Sequence, residues 1–171
     1  TLSRAEEGRL GLAPAPADLR EVVARAVERL RPQVEDAGLG LHLSPSPQLV
    51  PVSVDADRVA QVVTNLVGNA VRATPAGGRI DVAVGAGGGS AVVVVTDTGE
   101  GLAAEDLQRV FERFYRVPER RRAPGEGGSG IGLSIARGIL AAHGGSLEAW
   151  SPGRGGGATF TVRLPLAPGA R

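Results

Sequence analysis

Residues 91–96 read Ala-Val-Val-Val-Val-Thr, a nearly continuous run of β-branched side chains. Such a run is typical of a central strand in a covered sheet. Residues 80–84 precede it as a shorter segment that alternates between apolar and polar positions, with a glycine-rich turn at 85–89 between the two. The pattern therefore predicts a central strand with a half-buried neighbour.

Three longer segments have apolar residues at helical spacing. The first begins at Asp18, which forms a capping-box pattern with Glu21, and the second begins at Asp55 or Asp57. The predicted helices span residues 18–37, 55–73 and 130–143, with a shorter helix at 102–110. Further strands are predicted at 39–43, 51–54, 146–150 and 158–164, with a linker at Pro14 and Pro16. The layout predicts an α+β fold, a two-layer sandwich in which helices cover one side of a sheet.

The composition excludes several classes of function. Apolar residues make up 42% of the chain and aromatic residues 3%, so the core consists mainly of Val, Leu and Ala. A net charge of +1 provides no strong field to attract nucleic acid or a membrane surface. The lack of cysteine excludes disulfides and thiolate metal sites. No apolar run approaches the roughly 20 residues that a membrane-spanning helix needs.

Asn65 and Asn69 are the two asparagines of the chain. Four residues apart on a predicted helix, they lie on the same face, and Arg72 follows one turn later. Amide oxygens suit Mg²⁺, which takes its other ligands from water and from substrate phosphates. The pattern indicates either a magnesium site or an ordinary polar stripe that begins at Gln61.

Asp97 follows the central strand directly, in the sequence Asp-Thr-Gly-Glu-Gly. Its carboxylate is able to accept a hydrogen bond from the amino group of a base. Gly99 and Gly101 would let the backbone approach a flat ligand closely. The alternative interpretation is an acidic turn with flexible glycines.

Residues 127–133 are rich in glycine and open the third long helix, where backbone N–H groups are able to bind phosphate. A flexible linker has a similar composition. Arg116 and residues 120–122 form a cluster of arginines that either binds phosphates or is solvated surface.

Phe111, Phe114 and Tyr115 hold three of the five aromatic side chains of the chain. We interpret them as a hydrophobic plug that packs a short helix rather than as direct ligand contacts. His42 and His143 have no acidic or metal-binding companions at suitable spacing, so we interpret both as structural or surface residues.

In combination, these motifs resemble the ATP-binding catalytic domain of bacterial sensor histidine kinases, a branch of the GHKL superfamily with the Bergerat fold. The paired-Asn helix, Asp-x-Gly-x-Gly, Phe-x-x-Phe-Tyr, the arginine-rich loop and Gly-x-Gly-Leu follow in the family's order over about residues 18–165. The resemblance implies a mixed five-stranded sheet backed by three helices. It also implies ATP and Mg²⁺ as ligands, and transfer of the ATP γ-phosphate to a histidine.

By this resemblance, Asn69 and Asn65 bind Mg²⁺, Arg72 contacts the phosphates, and Asp97 reads the adenine amino group. The other residues that the resemblance assigns to the nucleotide are Gly99, Gly101, Arg116, Gly128, Gly130, Gly132, Leu133 and Thr159.

Two positions and one segment have more specific implications. Thr159, in the sequence Gly-Ala-Thr-Phe, takes the place of a water-bridged contact with adenine. Ala73 departs from the family pattern, because many relatives carry an aromatic residue beside the adenine there. Residues 116–129 are implied to form a flexible lid.

The chain contains no Met and begins with Thr1, so we expect it to be a piece of a longer protein. Residues 1–12 resemble the end of a dimerisation helix, residues 13–166 the catalytic domain, and residues 167–171 a disordered tail. The resemblance implies a homodimeric parent, an acceptor histidine on its own dimerisation domain, and a response regulator as the next phosphate acceptor. It implies a cytoplasmic domain without nucleic-acid or membrane contacts, and leaves open whether the parent is anchored in the membrane.

The same nucleotide fold also serves gyrase-type and chaperone-type ATPases, serine kinases that act on anti-sigma partners, and binding modules without catalysis. In the ATPases, a Glu one turn before the Mg²⁺-binding Asn activates water. Asn65 stands at that position here and cannot act as a base. The segment 2–10 argues against a serine kinase, and the presence of Asn69, Asp97 and the lid glycines argues against a degenerate module.

Overall fold

The computed structural model describes residues 11–113, 115 and 132–168. In this part of the chain, the elements follow in the order β-α-β-β-α-β-β-α-α-β-β. The strands are β1 (Ala15–Asp18), β2 (Gly40–Ser44), β3 (Pro51–Val54), β4 (Arg79–Gly87), β5 (Ser90–Asp97), β6 (Ser146–Trp150) and β7 (Ala158–Pro165). The helices are α1 (Leu19–Asp36), α2 (Ala56–Ala73), α3 (Ala104–Arg109) and α4 (Gly132–Ala142).

Five strands form a mixed sheet in the order β2-β4-β5-β7-β6. Strands β2 and β4 are parallel, and the other neighbours are antiparallel. Strand β5 lies in the centre, as its β-branched run predicts. The mixed five-stranded sheet with three long helices confirms the predicted α+β class.

The core lies between one face of this sheet and helices α1, α2 and α4. Alternate side chains of β5 and β7, such as Val93, Val95 and Phe160, are buried on that face. The opposite face leaves residues such as Glu148 and Trp150 exposed. The result is the predicted two-layer sandwich. No helix in the described part of the chain is long and apolar enough to cross a membrane.

The N-terminal region differs from the prediction of a linker at Pro14 and Pro16. Residues 15–18 form β1, which pairs antiparallel with β3 as a separate two-stranded sheet. Because β1 has a partner on one side, Pro16 is tolerated there although it cannot donate a backbone hydrogen bond. The alternating pattern that normally marks a strand is missing from Ala-Pro-Ala-Asp, so the sequence indicated a linker. That prediction is wrong.

The turn predicted at 85–89 is shorter in the structure, because β4 continues to Gly87. Gly88 and Gly89 alone connect β4 to β5, with φ angles of 61° and 80°. Two consecutive positive φ angles fit the tightest hairpin turns, and glycine adopts them without strain.

Helix α2, which carries both asparagines, is fixed at its start by Asp55. The Asp55 carboxylate accepts hydrogen bonds from the backbone N–H of Arg58 (3.2 Å) and Ala13 (2.9 Å). His143 follows α4, and its Nε2 accepts the backbone N–H of Asp55 at 3.1 Å, while Nδ1 lies 2.8 Å from the carbonyl oxygen of Ile139. The structural role expected for His143 is confirmed, and His42 is exposed on β2.

At the other end of the domain, Leu166 packs against the core, and the N–H of Ala167 donates to the carbonyl oxygen of Pro51 at 2.8 Å. The predicted tail therefore begins with a residue that is held in place. Residues 1–10 and 169–171 lie outside the described residues, so the predicted ends of the domain stay predictions.

Candidate functional site

The asparagine face of α2 lies against the beginning of α4. Asn69 is buried, with 8% of its surface exposed, and Asn65 is half-buried. The Asn65 Nδ2 donates a hydrogen bond to the carbonyl oxygen of Gly132 at 3.0 Å. Arg72 lies in the last turn of α2 and is exposed. The structure thus brings the paired-Asn helix against Gly132, the first described residue of the third long helix.

Asp97 is the last residue of β5, and 4% of its surface is exposed. Its Oδ1 accepts hydrogen bonds from two backbone N–H groups, those of Gly99 at 2.9 Å and Ala158 at 3.2 Å. Two donors on one oxygen fix the orientation of the carboxylate, because rotating it would break both bonds. Asp97 is a buried, preorganised acceptor rather than the acidic residue of a flexible turn.

The loop after Asp97 packs against the end of α2. The backbone N–H of Glu100 donates to the carbonyl oxygen of Ala73 at 2.9 Å. A Cβ on Gly99 would lie 2.3 Å from that same oxygen, a distance that no side chain tolerates. The loop that carries Asp97 and the helix that carries Asn69 are therefore joined at Ala73.

The same loop packs on its other side against residues 153–157. Gly101 has a φ of 71°, and a Cβ there would lie 2.2 Å from the carbonyl oxygen of Gly153. We predicted that Gly99 and Gly101 allow a ligand to approach. The structure assigns both glycines to close contacts within the protein, which hold the loop beside Asp97.

Thr159 is not brought to Asp97. In the pairing of β5 with β7, Asp97 lies opposite Ala158, and Thr96 lies opposite Thr159. Successive side chains of a strand point to opposite faces, so Thr159 faces away from Asp97 and from the buried Phe160. This placement contradicts the adenine contact predicted for Thr159. Ala158 is the residue beside Asp97.

The aromatic segment after α3 is a plug, as its composition predicts. The rings of Phe111 and Phe160 pack edge to face with centroids 6.4 Å apart, and the Arg137 guanidinium lies 5.1 Å from the centroid of Phe111. The Tyr115 hydroxyl donates to Oδ1 of Asp106, which is buried. Phe114 lies outside the described residues.

The structure describes only some of the predicted phosphate-binding residues. Gly132 and Leu133 open the described portion of α4 and are half-buried. Arg116, Gly128 and Gly130, together with the predicted lid at 116–129, lie outside the described residues.

Sequence reasoning missed Ser151, which is buried beside the Asp97 loop. Its Oγ accepts a hydrogen bond from the backbone N–H of Leu102 at 3.0 Å. Residues 151–157 read Ser-Pro-Gly-Arg-Gly-Gly-Gly, a composition that is typical of a turn and does not by itself indicate a functional residue. In the sequence, the available signal was a serine directly before a Pro-Gly pair.

Comparison with known proteins identifies the family. The family described as "Histidine kinase-, DNA gyrase B-, and HSP90-like ATPase" matches residues 54–168. The matched range contains α2, β5 and α4, the three elements on which the candidate site lies. This chain belongs to that family. The domain is therefore of the ATP-binding type, and the predicted resemblance is confirmed.

Within the histidine kinase-, gyrase- and HSP90-like family, the similar curated proteins are sensor kinases. The chain is 37% identical over 166 residues to the signal transduction histidine-protein kinase BaeS of Escherichia coli (strain K12), which covers 96% of this chain and 35% of BaeS. It is 34% identical over 151 residues to the sensor-like histidine kinase SenX3 of Mycolicibacterium smegmatis, with 88% of this chain and 38% of SenX3 covered. The chain thus spans little more than a third of the length of these relatives.

Among solved structures, the mycobacterial sensor histidine kinase MprB is similar, with a TM-score of 0.75, 30% identity, and coverage of 91% of this chain and 99% of that chain. A full-length ShkA structure in complex with AMPPNP has a TM-score of 0.81 and 29% identity, and covers 97% of this chain and 35% of that chain. The similar solved structures therefore indicate the same family as the sequence comparison.

Proposed function

We propose that this chain is the ATP-binding kinase domain of a two-component sensor histidine kinase, and that it transfers the ATP γ-phosphate to a histidine on a dimerisation domain. The observation that carries the proposal is the junction at Ala73. It holds the fixed carboxylate of Asp97 next to the helix that presents Asn65 and Asn69. ATP needs an acceptor for its base and ligands for its metal-bound phosphates, and the closeness of Asp97 to this helix supports the proposal that they provide these two functions.

Asp97 would accept the adenine amino group. Its Oδ1 is already held by two backbone donors, so the carboxylate does not have to reorganise when a base binds. Guanine carries an oxygen in place of that amino group, and two acceptors repel. Asp97 would therefore favour ATP over GTP.

Asn69 and Asn65 would hold Mg²⁺. Their amide oxygens are hard ligands of the kind that Mg²⁺ takes in small number, beside water and phosphate oxygens. The bond of Asn65 to Gly132 uses the amide nitrogen and leaves the amide oxygen for another partner. The described residues contain no group of three His, Cys, Asp or Glu side chains that could hold a metal. When bound, the ion would neutralise charge on the transferred phosphoryl group.

Transfer to a protein histidine fits this site better than hydrolysis. A hydrolase needs a base to take a proton from the attacking water, and the amide of Asn65 cannot do so. Neither histidine of the chain fits the acceptor role. In the family that the chain resembles, the acceptor histidine precedes an acidic residue, whereas His42 precedes Leu43 and His143 precedes Gly144. The acceptor is therefore proposed to lie on the dimerisation domain of a homodimeric, cytoplasmically oriented parent, with a response regulator receiving the phosphate next.

Incubation with γ-labelled ATP tests this proposal. We expect acid-labile, base-stable label on an added dimerisation domain and none on this chain alone. The control is a dimerisation domain whose acceptor histidine is replaced by Gln, which should stay unlabelled. Acid-stable label on this chain would indicate a serine kinase, and rapid phosphate release that depends on Asn69 would indicate an ATPase.

A further inference from the structure

The loop that carries Asp97 is held by a second loop, residues 151–157. The backbone N–H of Gly155 donates to the carbonyl oxygen of Glu100 at 2.6 Å, and the N–H of Gly157 donates to the carbonyl oxygen of Gly99 at 3.1 Å. The two loops are therefore paired through their backbones, and neither has regular secondary structure to maintain its shape.

The side chain of Ser151 connects this pair of loops. The Ser151 Oγ accepts hydrogen bonds from the backbone N–H of Leu102 at 3.0 Å and of Gly153 at 3.1 Å, and it donates to the carbonyl oxygen of Gly157 at 2.7 Å. A hydroxyl has one donor and two acceptor positions, and these three bonds fill them. The carbonyl oxygen of Gly153 also lies 3.2 Å from Oγ and shares the same donor. Ser151 itself is buried, with 8% of its surface exposed.

The loop that Ser151 holds lies directly against the end of β5. A Cβ on Gly157 would lie 2.1 Å from the carbonyl oxygen of Asp97, and Gly157 has a φ of 75°. The next residue, Ala158, donates its N–H to Oδ1 of Asp97. The position of Gly157, which Ser151 fixes, therefore determines where the donor that orients the Asp97 carboxylate lies.

We propose that Ser151 is a positioning residue for base recognition, acting on Asp97 through Gly157 and Ala158. The proposal rests on the adenine-reading role of Asp97 proposed above. Without the hydroxyl, the buried N–H of Leu102 and the carbonyl oxygen of Gly157 both lose a partner, and the loops relax to satisfy them. The Asp97 carboxylate then loses its fixed orientation and distinguishes adenine from guanine less well.

The test compares Ser151→Ala and Ser151→Thr with the unchanged chain, by calorimetric titration with MgATP and MgGTP. We expect Ser151→Ala to reduce the preference for ATP over GTP by about tenfold, the effect of one lost buried hydrogen bond. Thr keeps the hydroxyl and should keep the preference. Val23→Ala, which empties part of the core on α1, is the control for a general loss of stability and should leave the preference unchanged.

Hydrogen exchange in the nucleotide-free chain provides a second readout, independent of ligand. The amide of Leu102 should exchange at least about tenfold faster in Ser151→Ala, whereas the amide of Val93 in β5 should keep its protection. An unchanged ATP preference in Ser151→Ala, together with an unchanged Leu102 amide, would overturn the positioning role alone. An unchanged chain that binds neither nucleotide would overturn the proposed function and this inference together.

Discussion

Asp97 shows how backbone donors fix the orientation of a buried carboxylate. Burial alone would penalise its charge, but the N–H groups of Gly99 and Ala158 compensate. We predict that Asp97→Asn weakens ATP binding by about 1–3 kcal/mol, because a charge-assisted hydrogen bond to the base is lost. Calorimetric titration of both proteins with ATP measures the difference. Equal affinities of the unchanged chain for ATP and GTP would contradict the role of Asp97.

The position of Asn69 distinguishes between the two interpretations of the asparagine pair, a metal site and a solvated polar stripe. It is buried on the inner side of α2, whereas a solvated stripe would leave it exposed. We predict that Asn69→Ala removes most of the increase in ATP affinity that Mg²⁺ provides and changes the unfolding midpoint little, since Ala favours helices. Titrations with Mg²⁺ and with a chelator measure this increase.

The matched control for Asn69 is Thr64→Ala on the exposed face of the same helix. It should retain the full dependence on Mg²⁺. If Asn69→Ala also retains it, Asn69 is a structural polar residue and the metal ligands lie elsewhere.

At the scale of elements, the cap of α2 sets the position of both asparagines. Hydrogen bonds from the backbone N–H of Ala13 and of Arg58 hold the pKa of Asp55 below its usual value of 3.8. We predict that Asp55→Ala lowers the free energy of unfolding by about 1 kcal/mol at pH 7, the usual cost of losing a cap.

The pH dependence of this effect has a definite sign. A lowered pKa means that the folded state holds the proton less tightly than the unfolded chain, so the stabilisation is present above about pH 4 and is lost as the pH falls further. The difference between the unchanged chain and Asp55→Ala should therefore shrink in urea unfolding below pH 4. Asp57→Ala, at an exposed neighbour in the first turn, is the matched control and should change the free energy of unfolding at pH 7 less than Asp55→Ala.

Helices and strands with a regular spacing of apolar residues were predictable from the sequence. Strands that form only because they pair with another strand were not. The long helices and the β5 run follow from local patterns of apolar residues. Strand β1 exists because β3 offers it an edge, and Ala15–Asp18 contains no local signal of that partner.

The site follows the same division. Asp97, Asn65 and Asn69 each stand out in their local sequence, which is why the sequence alone was enough to propose them as site residues. The orientation of Thr159 depends on its register against β5, which places Ala158 opposite Asp97. Register is a property of paired strands, so the resemblance of a short motif did not determine which residue faces the site.

At the scale of the whole molecule, the site is assembled from parts that are distant in sequence. Asn65 bonds to Gly132, the loop after Asp97 bonds to Ala73, and residues 153–157 close the other side. None of these groups is near the others in an extended chain. The unfolded state therefore lacks the site, and a nucleotide binds the folded state alone.

This difference makes the unfolding temperature a direct measure of nucleotide binding. At a free MgATP concentration one hundred times its dissociation constant, binding stabilises the folded state by about 2.7 kcal/mol. For a domain of this size, each kcal/mol raises the midpoint by about 2–4 °C, so we predict a rise of about 5–11 °C. Differential scanning calorimetry with MgATP, with MgGTP and with ATP plus a chelator measures this rise in the midpoint.

The rise should be smaller with MgGTP than with MgATP. In MgATP at the same ligand concentration, Asp97→Asn should also show a smaller rise than the unchanged chain. An equal rise with both nucleotides would mean that the site binds triphosphate without reading the base, and no rise would mean that the assembled loops do not form a nucleotide site.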